Sequence, residues 1–250
     1  MARREHEIHP GSTQNNYDPI TVRALFDEMS ATYGVVNLVA SFGFAARWRH
    51  QAVENLPFAN GVHIVDLMSG MNELCHSISK YVTKNVCLTG VDFSPEMVSK
   101  ARTDWPFVVE NHLADIFKWD ILSCSADVVV SSFGLKTFDG SQQHELARRV
   151  ARLLRPGGIF SFVEISVPPA RLLQRLYLFY LIHVIPWIGK LFLGNPDNYR
   201  MLGFYAREFG CCRHFATCLR EQGLEVVELS YFFGCATGVR GFKPIVNSSD

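Results

Sequence analysis

The sequence predicts a doubly wound, mostly parallel α/β sheet, on three observations. Apolar runs at His63–Leu67, Val86–Phe93, Ala126–Phe133 and Ile159–Ile165 alternate with helix-like segments at Leu74–Tyr81 and Gln142–Leu154. The runs are mostly continuous rather than apolar at every second residue, which marks strands covered on both faces by crossover helices. Acidic residues follow successive runs at Asp66, Asp92 and Asp115. That is the carboxyl edge at which open α/β sheets bind nucleotides.

Each element follows in chain order. Residues 1–19 are polar and show no periodic apolar face, so a flexible leader is expected there. Residues 20–55 carry Val22, Leu25, Phe26 and Met29, then Val36, Leu38 and Val39, then Phe42, Phe44 and Trp48, at helical spacing. This predicts helices forming a lid before the core, broken at Gly34 and at Ser41–Gly43. Ser94-Pro95-Glu96 reads as a helix start, with a serine cap, proline at the first position and an acid near the positive end of the dipole. A third strand is expected at Phe107–Val109, and Arg155–Gly158 is expected to end the helix before the strand at Ile159.

Arg171–Leu193 is unusually apolar, yet Arg171, Arg175, His183, Pro186 and Lys190 interrupt it. Its unbroken apolar runs fall short of the roughly 18 residues that a membrane span needs. Two apolar helices bent at Pro186 are expected, inside a helical insert over 168–220, with peripheral membrane contact left open and no transmembrane span. Val226–Phe232 and Cys235–Phe242 read as a closing strand pair. Residues 20–250 then form one domain, which 250 residues can fill with a single core.

Lys and Arg balance Asp and Glu at 24 each, which argues against a nucleic-acid partner. The seven cysteines have no framework spacing and predict reduced thiols in the cytoplasm. Cys211, Cys212, His214 and Cys218 lack the paired spacing of a zinc site, so no metal is expected.

The loop Asp66–Glu73 contains neither G-x-G-x-x-G nor a Gly-Lys-Ser/Thr phosphate loop, which disfavours a pyrophosphate ligand. Asp92 falls 22 residues after Gly70, the spacing of an acid that accepts hydrogen bonds from ribose hydroxyls, and Asp115-Ile116 is placed to meet the edge of a base. Each acid alone has a plainer reading as a helix cap; their ordered recurrence favours a nucleoside site.

With these motifs the sequence resembles the ubiquinone/menaquinone biosynthesis C-methyltransferases (UbiE-like) within the class I S-adenosylmethionine-dependent methyltransferases. The likeness runs from about Leu25 to Pro244. It is carried by Phe26-Asp27 with Tyr33, Asn37 and Ser41-Phe42-Gly43, by Asp66–Glu73, by Phe133-Gly134-Leu135, by Leu154–Gly158, by Tyr199-Arg200 and by Gly238–Phe242. The resemblance implies a Rossmann-like seven-stranded sheet with S-adenosylmethionine as cofactor and S-adenosylhomocysteine as product. It implies that Gly70 and Met71 line the methionine end, Asp92 binds ribose, Asp115 and Ile116 contact adenine, Ser132 and Phe133 lie by the sulfonium, and Tyr33 closes over it. Asp66, Ser69 and Phe93 complete that set. Two departures stand out. Gly70-Met71-Asn72 replaces the family's Gly-Thr-Gly, asparagine being the residue after glycine that best tolerates left-handed backbone. Lys136-Thr137 stands where the quinone enzymes carry Arg-Asn.

The expected reaction is methyl transfer to a small lipophilic acceptor, with C-methylation favoured over O- or N-methylation. A cyclase-like enzyme that keeps the cofactor without transferring methyl, and a non-catalytic partner protein, are the alternatives. Glu164, His183, Lys136 and Tyr199 are the candidate catalytic residues, each with a structural alternative. The apolar helices are expected to roof the acceptor or to pack in a homodimer.

Overall fold

The computed structural model describes residues 16–82, 85–120 and 122–245. Seven strands form one sheet: β1 (His63–Leu67), β2 (Cys87–Asp92), β3 (Val108–Leu113), β4 (Ala126–Ser132), β5 (Leu154–Ile165), β6 (Glu225–Tyr231) and β7 (Ala236–Phe242), in the order β3-β2-β1-β4-β5-β7-β6. The first five pair in parallel, and β7 lies antiparallel between β5 and β6. The chain winds outward from β1 to β3 and returns to β4 on the other side, so strand order reverses between β1 and β4. That reversal opens a crevice at their carboxyl ends.

Alternation along the strands feeds two cores. Val65, Leu67, Val129, Phe160 and Phe162 point to one face, where Leu146, Val150, Phe215 and Leu219 cover them. Ile64, Leu88, Val128 and Val130 point to the other, against Leu74, Ile78 and Val53. The covering helices are α1 (Pro19–Met29), α2 (Tyr33–Ala40), α3 (Phe44–Val53), α4 (Cys75–Ile78), α5 (Pro95–Lys100), α6 (Gly140–Leu153), α7 (Arg171–Phe179), α8 (Ile185–Leu191), α9 (Pro196–Phe209) and α10 (Arg213–Glu221). Two begin as the sequence dictates. Ser94 Oγ accepts from Met97 N at 3.1 Å to cap α5, and Asp139 with Gln142 forms a reciprocal capping box on α6.

Four expectations change. Gly34 lies inside α2, and the break falls at Ser30–Thr32, where the Ser30 and Thr32 hydroxyls donate back to Asp27 O and Met29 O and close α1. The helix expected over Leu74–Tyr81 shortens to the single turn α4. The third strand extends to Leu113 because it is an exposed edge and tolerates Glu110, Asn111 and His112. The two helices expected to bend at Pro186 are joined: α7 and α8 run through a π-turn at Tyr180–Val184, just before the proline, into one helical run, Arg171–Leu191. The wider turn accommodates the proline ring, which would otherwise collide with the carbonyl four residues earlier. Among the described residues this run alone is long and apolar enough to cross a membrane by length and composition. Most of the expected leader lies outside the described residues; Asn16, within it, is buried, its carbonyl accepting from Tyr205 Oη at 2.5 Å.

The closing hairpin depends on Gly241, whose missing Cβ would sit 1.7 Å from Glu225 O. Gly241→Val is expected to push β6 off β7 and lower the thermal midpoint by at least several degrees, about 2–4 °C for each kcal/mol lost in a chain this size. Calorimetry checks this, and an unchanged midpoint would show that β6 is dispensable.

Candidate active site

Two cavities meet at the carboxyl edge of the sheet. The first is lined by the ends of β1, β2 and β4, the turn after β3, and α1. Its floor is a strained loop: Met68, Gly70 and Asn72 have φ of 56°, 57° and 64°. Gly70 suits this conformation, and its missing Cβ would lie 2.8 Å from Glu73 Oε2. Asn72 holds the same handedness while its Nδ2 donates to Arg102 O at 2.9 Å, so asparagine supports the turn in glycine's place. Phe133, after β4, is also left-handed at φ 64°. Such backbone in bulky residues costs about 1–3 kcal/mol each and clusters at functional sites.

Asp92 organises this floor. Its two oxygens accept from Gly70 N at 2.8 Å and Ser94 N at 2.9 Å. Burial nevertheless raises its pKa to about 6, against those donors and with the Glu73 charge adding to the rise. Asp66, at the end of β1, is 1% exposed, and neither of its oxygens finds a hydrogen-bond partner among the described residues. Burial first and Glu73 second push its pKa well up, while Arg49 opposes them. Asp115 accepts from Phe117 N at 2.9 Å and so also caps its own turn.

Tyr33, Gly70, Asp92, Phe93, Asp115, Ile116, Ser132 and Phe133 all line this cavity. Asp66, Ser69 and Met71 do not. Arg49 and Glu73 line it without having been singled out as site residues. Arg49 Nη2 lies 3.7 Å from Glu73 Oε1, its Nε donates to Ser132 Oγ at 3.2 Å, and its guanidinium sits 4.9 Å from the Phe133 ring centroid. The signal for Arg49 was present: an arginine among Ala45, Trp48 and Ala52 on the buried face of α3.

The second cavity, almost wholly apolar, lies between α2, α3, the α7–α8 run, α9 and Phe232. Tyr33 and Phe133 line both cavities and divide them. Burial, then Glu73, raises the Tyr33 phenol above its ordinary pKa. The hydroxyls of Tyr177, Tyr180 and Tyr199 are engaged by Cys235 O, Ala40 O and Thr32 Oγ1.

The catalytic candidates separate. Lys136 and Tyr199 line the second cavity. Glu164 lines neither cavity: it is fully buried, accepts from Lys136 N at 3.0 Å and Ile165 N at 2.7 Å, and pairs with Lys136 Nζ at 3.1 Å. A carboxylate so enclosed positions Lys136 and is not free to take a proton from an acceptor. His183 is exposed on the outer side of the helical run, 4.9 Å from the Phe179 ring, and lines neither cavity.

Breaking a buried ion pair by removing one partner costs about 3–5 kcal/mol, whereas replacing both by apolar groups is close to neutral. Urea unfolding of Lys136→Met, Glu164→Leu and the double variant is therefore expected to show two strongly destabilised singles and a double close to the parent. Additive losses would show that the two charges do not depend on each other.

Residues 12–243 match the model of the ubiE/COQ5 methyltransferase family. The chain is 29% identical over 234 residues to the ubiquinone/menaquinone biosynthesis C-methyltransferase UbiE of Geobacter sulfurreducens, covering 89% of each chain. It is 29% identical to a demethylmenaquinone methyltransferase of Chlorobaculum parvum, over 83% of this chain and 86% of that one. A solved methyltransferase of Thermotoga maritima, described as S-adenosylmethionine-dependent, shares the fold at a TM-score of 0.58 and 19% identity, over 88% of this chain and 98% of that one. The fold, the carboxyl-edge site and these likenesses agree: the chain belongs to the ubiE/COQ5 methyltransferase family and is an S-adenosylmethionine-dependent methyltransferase.

Proposed function

We propose that the protein methylates a ring carbon of a reduced, quinone-type acceptor that carries an apolar tail. The observation that carries this reading is the pair of adjoining cavities, one lined with acids at the strand ends and one apolar, that share Tyr33 and Phe133. The relatives named above, a ubiquinone/menaquinone biosynthesis C-methyltransferase and a demethylmenaquinone methyltransferase, support it. The seven free thiols suit a cytoplasmic setting, which belongs to the same proposal.

The acids Asp92, Asp115 and Glu73 line the first cavity, where Arg49 is the one basic residue among the described lining, and they suit a cofactor that bears cationic groups. Asp92 would hold its ribose, Asp115 and Ile116 its adenine, and the loop at Gly70 its methionine end, with Phe93, Ser132 and Phe133 enclosing the remainder. S-adenosylmethionine supplies a methyl group on sulfonium, already activated for in-line displacement, and becomes S-adenosylhomocysteine. The protein's part is alignment and exclusion of water. A ring carbon becomes nucleophilic when the neighbouring phenol loses its proton. Among the described residues no carboxylate or imidazole lines the second cavity, so Lys136, held by Glu164, would favour the phenolate by its charge. Tyr33, at the division, would orient the acceptor's oxygen.

Incubation with isotopically methyl-labelled cofactor and a demethylated naphthoquinol of short tail is expected to yield a carbon-bound methyl group by NMR. An O-methylated product, or no product while cofactor binds, would overturn the reading. Tyr33→Phe is expected to lower kcat by roughly 10–100-fold, the worth of one hydrogen bond to a developing charge, with little change in cofactor affinity. An unchanged kcat would remove Tyr33 from the reaction.

The raised pKa of Asp92 sets a pH dependence. Below about 6 the carboxyl is protonated, so binding that uses the carboxylate must release a proton. Cofactor affinity is expected to rise up to about tenfold per pH unit approaching 6 and to level off above it. Calorimetry from pH 5 to 8 checks this, with Asp92→Asn expected to bind more weakly and to flatten the slope; a profile that Asp92→Asn leaves intact contradicts the assignment.

A further inference from the structure

The helical run Arg171–Leu191 buries one side and displays the other. Leu181, Pro186 and Gly189 face inward, with Gly189 so close to the Tyr199 ring that a Cβ would lie 2.3 Å from it. Leu172, Leu176, Phe179, Trp187 and Leu191 are exposed, spaced as a stripe along the outer side. Phe42, at the turn between α2 and α3, is 79% exposed and stacks on Tyr180 at 6.3 Å. Phe233, 78% exposed, adjoins Phe232, whose ring lies 4.5 Å from Phe44. Phe42, Phe232, Phe233 and Leu193 have φ of 49°, 43°, 57° and 64°. Four bulky apolar residues are thus held in left-handed backbone with their side chains in water. A free surface gains nothing from that double cost.

The patch borders the second cavity. Phe42, Leu176 and Phe232 are exposed and also line it, so it opens through an apolar rim. The charge on the helical run has one sign. Residues 31–53, 166–196 and 229–243, which supply most of the cavity's wall, contain no aspartate or glutamate, and the acid at the head of α9, Asp197, is paired with Arg200. Arg171, Arg175 and Lys190 are exposed on the helical run itself.

This charge pattern selects among occupants. A second copy docked face to face would set these cations against their own counterparts, with no carboxylate on the helical run to pair with them. A membrane span would have the length, about 1.5 Å per residue over 21 residues, but would tear the inner side of the helix from Tyr199 and α9. An apolar stripe with basic flanks, lying flat against a domain, matches a surface of anionic lipid.

We propose that this face rests on an anionic lipid bilayer, with the helical run in the interfacial plane and the mouth of the second cavity open to the acyl chains. A tailed acceptor would pass from lipid to the site without crossing water; that half of the inference rests on the acceptor proposed above, whereas the docking stands without it.

Co-sedimentation of the full chain with vesicles of phosphatidylcholine alone, and with phosphatidylglycerol added, tests the docking. Binding is expected to the anionic vesicles and to weaken with salt. The variant Phe179→Ser/Trp187→Ser/Leu193→Ser alters exposed residues that do not line the cavity, and is expected to reduce binding by at least about a hundredfold with its thermal midpoint kept. Arg171→Glu/Arg175→Glu is expected to abolish the preference for anionic lipid. No binding to either vesicle overturns the inference, as does a salt-insensitive dimer in sedimentation velocity that the triple serine variant dissociates. The short-tailed acceptor in solution separates the two proposals. If the triple variant methylates it at the parental rate but fails on a long-tailed acceptor in vesicles, both stand; vesicle binding without methylation of either acceptor sinks the acceptor alone.

Discussion

The Asp92 carboxylate is the joint on which the site's geometry depends. One oxygen holds Gly70 N in the loop after β1, and the other holds Ser94 N at the head of α5. Ser94 in turn caps α5 and donates from Oγ to Asp27 Oδ1 at 2.5 Å, which fastens α1 to the sheet edge. One acid therefore sets three things together: the curvature of the loop, the direction of the next helix and the docking of the N-terminal lid. Because Tyr33 follows α1 by only a short turn, the partition between the two cavities inherits its position from the same joint.

The price of that arrangement is an excess of buried negative charge. Asp66, Asp92 and Glu73 crowd one side of the crevice, and Arg49 is the cation that reaches in among them. Burial first, and the charge of Glu73 after it, raises the pKa values of Asp66 and Asp92. On the far side of Phe133 the balance is different: Lys136 and Glu164 neutralise each other in a dry setting, and backbone N–H groups complete the glutamate's bonding. The two halves of the site thus differ in electrostatic character, one receptive to cations and the other apolar with a single fixed ammonium.

Much of this was legible in the residues. The buried strands announce themselves through continuous apolar runs, and the acids at strand ends fix the edge that carries the site. The exposed edge was harder, since β3 carries Glu110, Asn111 and His112 where a run-based reading expects apolar side chains. Gly34 was misleading because a glycine tolerated inside α2 looks like a terminator, while the actual stop is made by hydroxyls bonding back to the ends of α1. Glu164 and His183 show the deeper limit. Both lie at suggestive positions in the chain, but whether a side chain faces a cavity, a partner charge or solvent is decided by packing between elements far apart in sequence. Arg49 is the reverse case, a residue that only the fold brings to Ser132 and Glu73, 83 and 24 positions away.

The altered glycine turn shows how a departure from the family pattern is absorbed. The demand at position 72 is for left-handed backbone, and Asn72 meets it, with its Nδ2 bonded to Arg102 O in addition. The demand at position 70 is stricter, because a Cβ there would meet the Glu73 carboxylate, and glycine is retained. Between them, Met71 Cε comes within 3.9 Å of where a Cβ on Gly34 would stand, so the side chain reaches toward the lid helix α2, while its N–H donates to Glu73 Oε2 at 3.1 Å. A threonine hydroxyl at that position would add a polar group; the methionine instead supplies an apolar contact between loop and lid. At 3.9 Å a Cβ on Gly34 would make ordinary van der Waals contact with it, so the lid helix meets the loop without requiring glycine there.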